Sequence, residues 1–276
     1  MPASPYADLD RPPLPVRALQ RALVVPGGFW TRMDVVSDTG STNADVAGAA
    51  RTGVPEGLVV VAEQQRAGRG RRDREWVSPA RAGLTLSVLL RPGPGVPQSR
   101  WAWLPLLAGV ALREAVEQRA GVEAALKWPN DLLIDGAKCA GILAEVVGDA
   151  VVLGVGLNVT TRPDELPETP GAPATSLRIA GARETDRDPL LRALLRGLAR
   201  WYAGWRDTGG DAEMCGLLAA YRAGCATIGR EVRVLLPDSP DLAGTATTVD
   251  DDGRLVIRTA DGTERRVSAG DVRHVR

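Results

Sequence analysis

Four strand-like runs, Ala125 to Trp128, Leu132 to Ile134, Lys138 to Val147 and Val151 to Val159, follow one another with only turns between them. Strands this close in sequence leave no room for the crossover helices of a parallel sheet, so they predict a mixed or antiparallel sheet and not a Rossmann domain. Upstream, Met33 to Val36, Leu58 to Ala62 and Leu84 to Arg91 also read as strands. Helices are predicted over Val16 to Leu23, from a capping box at Thr42 to Asp45 through Ala50, and over Trp101 to Arg119, closed by Gly121. Asp188-Pro189 is expected to cap a helix with Leu190, Leu191, Leu194, Leu195, Leu198, Trp201, Tyr202 and Trp205 on one face, and Asp211 to Ala223 to form another. From Thr227 the texture changes to short strands (Glu231 to Leu236, Ala243 to Val249, Leu255 to Thr259, Thr263 to Val267) separated by Asp-Gly turns, which reads as a separate small β-barrel. The expected organisation is therefore α/β (α+β): a disordered tail over 1–15, a main domain over 16–225 and a small domain over 226–276.

Composition narrows the chemistry. The 34 basic and 34 acidic residues of this 276-residue chain cancel, so no global field draws it to nucleic acid or an anionic membrane. The single histidine, His274, lies two residues from the end, which leaves no serine-histidine triad and no histidine-rich metal site in the body of the chain. Three cysteines without a C-x-x-C pair fit a reducing compartment and a cytoplasmic protein. The proline-rich start has no apolar signal core, and the longest uncharged run, Trp101 to Leu112, is too short to span a bilayer. Of the 34 basic residues only Lys127 and Lys138 are lysine, and they flank Trp128-Pro129-Asn130-Asp131. A chain that otherwise uses arginine keeps lysine where a compact ammonium is needed and a planar fork would not fit.

The loop Gly68-Arg69-Gly70-Arg71-Arg72-Asp73-Arg74-Glu75-Trp76 sets four arginines among glycines, so the backbone can approach a ligand while guanidinium groups converge on anions. Its uncompensated arginines predict a loop that orders only over a ligand. A G-x-G-x-x-G fingerprint fails here, because Asp73 stands at the third glycine and no helix follows. A solvated charged loop or an arginine-rich RNA-binding tract is the competing reading. Lys127 to Asp131 ends one strand and begins another; its lysine suits phosphate, and Asn130 and Asp131 offer oxygens for Mg²⁺, although a Pro-Asn-Asp turn is also common on structural grounds alone. Ser41-Thr42-Asn43 either caps a helix or holds a small polar ligand at the helix N-terminus. Gly154-x-Gly156 marks a strand that something bulky approaches, or one that packs closely on its neighbours.

In this order and spacing, Ser41-Thr42-Asn43, Gln65-x-x-Gly68-Arg69-Gly70-Arg71-Arg72, Lys127 to Asp131, Lys138-x-x-Gly141-Ile142-Leu143 and Gly154-x-Gly156-x-Asn158-Val159 resemble the biotin protein ligases. The resemblance implies a class II synthetase-like catalytic domain and an SH3-like C-terminal barrel. It implies ATP-dependent formation of biotinyl-5′-AMP and transfer of biotin to a lysine of a biotin carboxyl carrier protein domain. Biotin contacts are implied for Ser41, Thr42, Asn43, Gln65, Arg69, Gly70, Arg71, Lys138 and Gly141. Adenylate contacts are implied for Arg71, Arg74, Trp76, Lys127, Asn130, Asp131 and Asn158, with Mg²⁺ at Asn130 and Asp131. The catalytic set is Arg71, Lys138, Lys127 and Asp131. Two positions depart from the family pattern: Asp73 replaces a usual glycine and Cys139 a usual leucine.

That chemistry explains the missing core histidine. A carboxylate is ionised at neutral pH and needs no base to attack phosphorus, only cations to offset the repulsion between two anions. A chain beginning this close to its first motif resembles the monofunctional members, with neither DNA nor a membrane expected as a partner and a weak homodimer left open. A lipoate or octanoate ligase of related fold is the nearest alternative. An RNA-binding module is a second one, disfavoured by zero net charge and 4% aromatic residues.

Overall fold

The apolar run Leu58–Ala62 forms strand β2, buried at all five positions, and it pairs in parallel with β1 (Arg32–Val36). A computed structural model describes residues 11–72, 74–167, 173–235, 240–268 and 270–275. After β2 come β3 (Gly83–Leu90), β4 (Ala125–Lys127), β5 (Asp131–Ile134), β6 (Ala137–Val147) and β7 (Ala150–Asn158). They complete one mixed seven-stranded sheet in the order β1-β2-β3-β7-β6-β5-β4, antiparallel apart from the β1/β2 pair. Helix α1 (Val16–Leu23) precedes the sheet, α2 (Thr42–Arg51) lies between β1 and β2, and α3 (Trp103–Ala120) between β3 and β4. Helix α4 (Arg187–Asp207) and α5 (Leu217–Gly224) follow the sheet.

Strands β3 and β7 are buried at every position because both faces of the sheet are covered, which is why their sequences are continuous apolar runs instead of alternating ones. On one face α2 places Val46, Ala47 and Ala50 against Leu58, Val60, Leu89 and Val152. On the other, α3 and α4 fill the main core with Leu104, Leu107, Leu191, Leu194 and Leu198. No helix among the described residues is long and apolar enough to cross a membrane.

The C-terminal part is a five-stranded antiparallel sheet, in the order β11-β10-β9-β8-β12: β8 (Glu231–Leu235), β9 (Leu242–Val249), β10 (Leu255–Arg258), β11 (Glu264–Val267) and β12 (Asp271–His274). The fifth strand, β12, is absent from the sequence expectation; it is short, half charged and lies at the end of the chain. Two tryptophans dock this sheet onto the main one. The Trp103 indole N–H donates to Asp251 O at 2.7 Å, and the Trp128 indole N–H donates to Gly253 O at 3.0 Å. Both rings are fully buried.

Three expectations are corrected. Helix α5 begins at Leu217, not Asp211, because the Asp211 carboxylate caps the backbone N–H groups of Glu213 and Met214 in a turn that ends at Gly216, with φ 77°. The N-cap of α4 is Asp186, whose side chain accepts from the Asp188 N–H. The expected disordered tail does not extend to residue 15: Arg11 to Pro15 is fixed to the body, while 1–10 lies outside the described residues. Arg11 is buried, pairs with Glu165 at 2.5 Å and donates to Thr160 O. Arg187 donates to Pro12 O, and the Leu14 N–H donates to Glu63. No periodic signal marks such a strap, because its contacts are polar and distant in sequence.

The strap closes over an ion pair between Arg187 and Glu63 at 2.6 Å, whose side chains are 5% and 9% exposed. Removing one partner leaves a desolvated charge. Arg187→Met is expected to cost about 3–5 kcal/mol in urea unfolding, with part recovered in Arg187→Met/Glu63→Gln; an unchanged midpoint for the single variant would contradict this account.

Candidate active site

The N-terminus of α2 meets β3 and β7 at a cluster of neutral polar groups. Ser41, Thr42 and Asn43 are all nearly buried. The expected capping box does not form: the Ser41 side chain makes no cap bond, and Asp45 accepts instead from the Thr39 hydroxyl. Gln65 takes over, its Oε1 accepting from the Thr42 N–H at 2.8 Å and from the Thr42 hydroxyl at 3.0 Å. The fully buried Ser87 hydroxyl lies 2.7 Å from Thr42 Oγ1 and 2.6 Å from Asn43 Oδ1, and Asn43 Nδ2 donates to Glu145 at 2.6 Å. Neither Ser87 nor Glu145 is singled out by the sequence reading; a lone serine inside an apolar strand is the signal for the first.

The two glycines of β7 are explained by side chains, not by strand packing. A Cβ at Gly154 would stand 2.1 Å from Asn43 Oδ1, and one at Gly156 would stand 2.4 Å from the Trp76 indole. Gly156 pairs with Gly141 of β6, where a Cβ would meet Lys138 Nζ at 3.3 Å and Trp76 at 3.4 Å. Trp76 thus rests against both glycines.

Trp76 ends the arginine-glycine loop, which is folded as a small hairpin: the Trp76 N–H donates to Gly68 O, and the Gly70 N–H to Arg74 O. Asp73 lies outside the described residues. The expectation of uncompensated arginines is not met. Arg69 pairs with Glu145 at 3.3 Å, Arg71 donates to Asn130 Oδ1 at 3.0 Å, Arg72 donates to Leu235 O at 2.8 Å, and Arg74 pairs with Asp271. Arg71 also reaches Gly270 O at 3.4 Å. Three of the four arginines therefore touch the C-terminal sheet. Burial, with Arg72 beside it, lowers the Arg71 pKa from its ordinary value.

Lys127 ends β4 opposite Asp131 at the start of β5. Lys138 Nζ sits 2.7 Å from Asp131 Oδ1, an ion pair without directed hydrogen-bond geometry, so that buried oxygen keeps a free lone pair. Burial lowers the Lys127 pKa, and the carboxylates of Asp131 and Asp271 work against that shift. Asn130 Nδ2 donates to Ile142 O at 3.0 Å, fixing its oxygen toward Arg71. Cys139, behind this turn, is buried with its thiol pushed up to about 12, and so is inert.

Every residue to which the resemblance assigns a biotin, adenylate or catalytic role lines one cavity of about 1150 Å³, Arg74 and Asn158 included. Asn158 is nearly buried and donates to Thr175 O, so it shapes the wall with its Nδ2 already engaged. The cavity is also lined by Gly270, Asp271 and His274 of the C-terminal sheet, which the sequence reading leaves out. Asn130 and Asp131 do not fit a resident divalent ion: one carboxylate and one amide oxygen already bonded to Arg71, among three cations, fall far short of six oxygen ligands. Such a set suits an ion that arrives with nucleotide phosphates. Among the described residues the carboxylates that do converge, Asp250, Asp251 and Asp252, lie in the β9/β10 turn, where Arg254 pairs with two of them.

Comparison with known proteins places the chain. Residues 39–160 match the Biotin/lipoate A/B protein ligase family, and residues 227–275 match the Biotin protein ligase C terminal domain. The chain is 46% identical to the biotin–[acetyl-CoA-carboxylase] ligase of Mycobacterium tuberculosis over 98% of this chain and 98% of that protein. It is 35% identical to the bifunctional ligase/repressor BirA of Bacillus spizizenii, over 89% of this chain and 74% of that protein. Among solved structures, the biotin protein ligase from Aquifex aeolicus in complex with biotin and ATP is similar at a TM-score of 0.75 and 27% identity, covering 90% of this chain and 100% of that one. With the motifs in one cavity, both parts of the chain matched and a relative alike along nearly its whole length, the chain belongs to the biotin protein ligase family.

Proposed function

We propose that this protein activates biotin with ATP to biotinyl-5′-AMP and transfers the biotin to a lysine of a biotin carboxyl carrier domain in a biotin-dependent carboxylase, in the cytoplasm. The observation that carries this reading is the pairing, in a single cavity, of a buried neutral cluster with a cluster of cations. The first, built on Ser41, Thr42, Asn43 and Gln65, suits a ureido group, which both donates and accepts hydrogen bonds. The second, Arg71, Lys127 and Lys138, suits a carboxylate and a phosphate brought together.

In the first step a carboxylate oxygen attacks the α-phosphorus, the bond to the bridging oxygen breaks, and pyrophosphate leaves with the electron pair. Arg71 and Lys138 offset the repulsion between the two anions as they close. In the second step the acceptor amine, once deprotonated, attacks the acyl carbon and AMP leaves; Asp131, ion-paired to Lys138, is the carboxylate in this reading that assists removal of that proton. Trp76 packs against the bound adenylate. An RNA-binding role is disfavoured because each loop arginine already has a protein partner.

The test is pyrophosphate release from ATP on addition of biotin, with lipoate as the control; release with lipoate and none with biotin would reassign the substrate. Arg71→Ala is expected to slow biotinyl-AMP formation by about 10²-fold or more, and a near-normal rate would remove Arg71 from the reacting centre. Lys138→Arg keeps the charge but presents a wide fork where a point charge is needed. It is expected to melt with the parent and lose most adenylation, read from a thermal melt and a pyrophosphate assay on the same preparation; full turnover would show that the lysine is not required.

A further inference from the structure

The one histidine of the chain, set aside on its position in the sequence, stands in the wall of the cavity. Strand β12 brings it there: His274 pairs in register with Val232 of β8, and the next residue is held by the Val275 N–H bond to Glu231 O. Its Nε2 lies 3.2 Å from the hydroxyl of Thr227, a residue with no exposed surface. That same hydroxyl accepts the backbone N–H of Trp128 at 3.1 Å. Trp128 directly follows Lys127, and its indole N–H is already tied to Gly253 O, so both of its N–H groups end on the C-terminal part of the chain.

We infer that His274 is a positioning residue for the reaction: through the Thr227 hydroxyl it fixes the Trp128 peptide, and with it the ammonium of Lys127 in the nucleotide end of the cavity. A hydroxyl has one hydrogen and two lone pairs. With one lone pair taken by the Trp128 N–H, its hydrogen and remaining lone pair are shared between His274 and the Cys225 thiol. Without the imidazole one of those two partners is lost, and the peptide bond the hydroxyl holds loosens. The imidazole has to be neutral for this, since a cation would repel Lys127. Burial, then the charges of Lys127 and Arg230, depress it to about 4. The neutral cluster does not depend on the chain His274 to Thr227 to Trp128, because Thr42, Asn43 and Gln65 are held by other partners.

This inference rests on the proposed ATP-dependent activation of biotin, and the experiment separates the two. Initial rates of pyrophosphate release are measured against ATP and against biotin for the parent, His274→Ala, His274→Gln, Thr227→Val and the His274→Ala/Thr227→Val pair, with a thermal melt of each and biotin binding without nucleotide. His274→Ala is expected to raise KM for ATP about tenfold, the size of one lost hydrogen bond acting through a positioned group. Its biotin affinity and melting temperature should stay with the parent. Gln, whose amide reaches the Nε2 position and can donate or accept, is expected to restore KM for ATP to within about twofold. Thr227→Val, which also orphans the Trp128 N–H, should raise KM for ATP at least as far and lower the melt, and the double variant should be no worse than Thr227→Val alone. An active parent with an indifferent His274→Ala overturns this inference alone, as does a Gln variant as impaired as Ala, or a parallel rise for ATP and biotin with a lowered melt, which marks a purely structural strut. A parent that releases no pyrophosphate overturns the proposed function and this inference with it.

Discussion

The cavity depends on how Trp128 is held. Its ring is buried between the two sheets, where an indole brings a large apolar area and one N–H that must find a partner. Gly253 O supplies that partner, as Asp251 O does for Trp103 one turn away on the same loop. An orphaned indole N–H at this depth would cost about 1–3 kcal/mol, so the β9/β10 turn and the two rings specify each other's position. The residue before Trp128 is Lys127 and the residues after it are Pro129, Asn130 and Asp131. The docking that joins the two sheets therefore also sets the geometry of the most charged turn in the molecule.

That turn shows how a cluster of cations is kept folded before any anion arrives. Lys138 rests on Asp131, Arg69 on Glu145, Arg74 on Asp271, and Arg71 on the neutral Asn130. Most of these pairs are partly exposed, where an ion pair contributes little to stability. Their value lies in placement: the carboxylates hold the cations apart from one another and leave them free to trade partners. Arg71, like Arg72, meets only uncharged acceptors, in its case an amide oxygen and a backbone carbonyl, and burial lowers its pKa. It therefore stands to gain from a ligand anion.

Much of this was legible in the sequence, for identifiable reasons. Helix α1 and strand β2 fall on their predicted bounds because apolar periodicity and a β-branched run are local signals. The mixed sheet followed from strands too close together for crossover helices. The site residues were legible because the chemistry is polar and the scaffold around it is not: Lys127 and Lys138 stand out against arginine, and Gly154 and Gly156 against valine and leucine. What stayed hidden is contact across long sequence separations. The cap on α2 comes from Gln65, twenty-three positions on from Thr42, and no capping pattern predicts an acceptor from another loop. The strap at Arg11, the reach of Arg72 to Leu235 O and the place of His274 in the cavity wall are of the same kind.

The scarcity of lysine has a further chemical meaning once both lysines are found in the cavity. An acyl adenylate is an indiscriminate acylating agent for neutral amines, whereas a guanidinium stays protonated and inert toward it. With arginine at every other basic position, the outer surface of this protein presents no lysine amine at all. Of the two it has, Lys138 is engaged by Asp131, and the half-buried Lys127 is the one whose pKa is pushed down toward the reactive form. Amine-directed labelling of this chain is consequently a readout of one cavity: beyond the terminal amine, any mass added by such a reagent reports on access to Lys127 and Lys138.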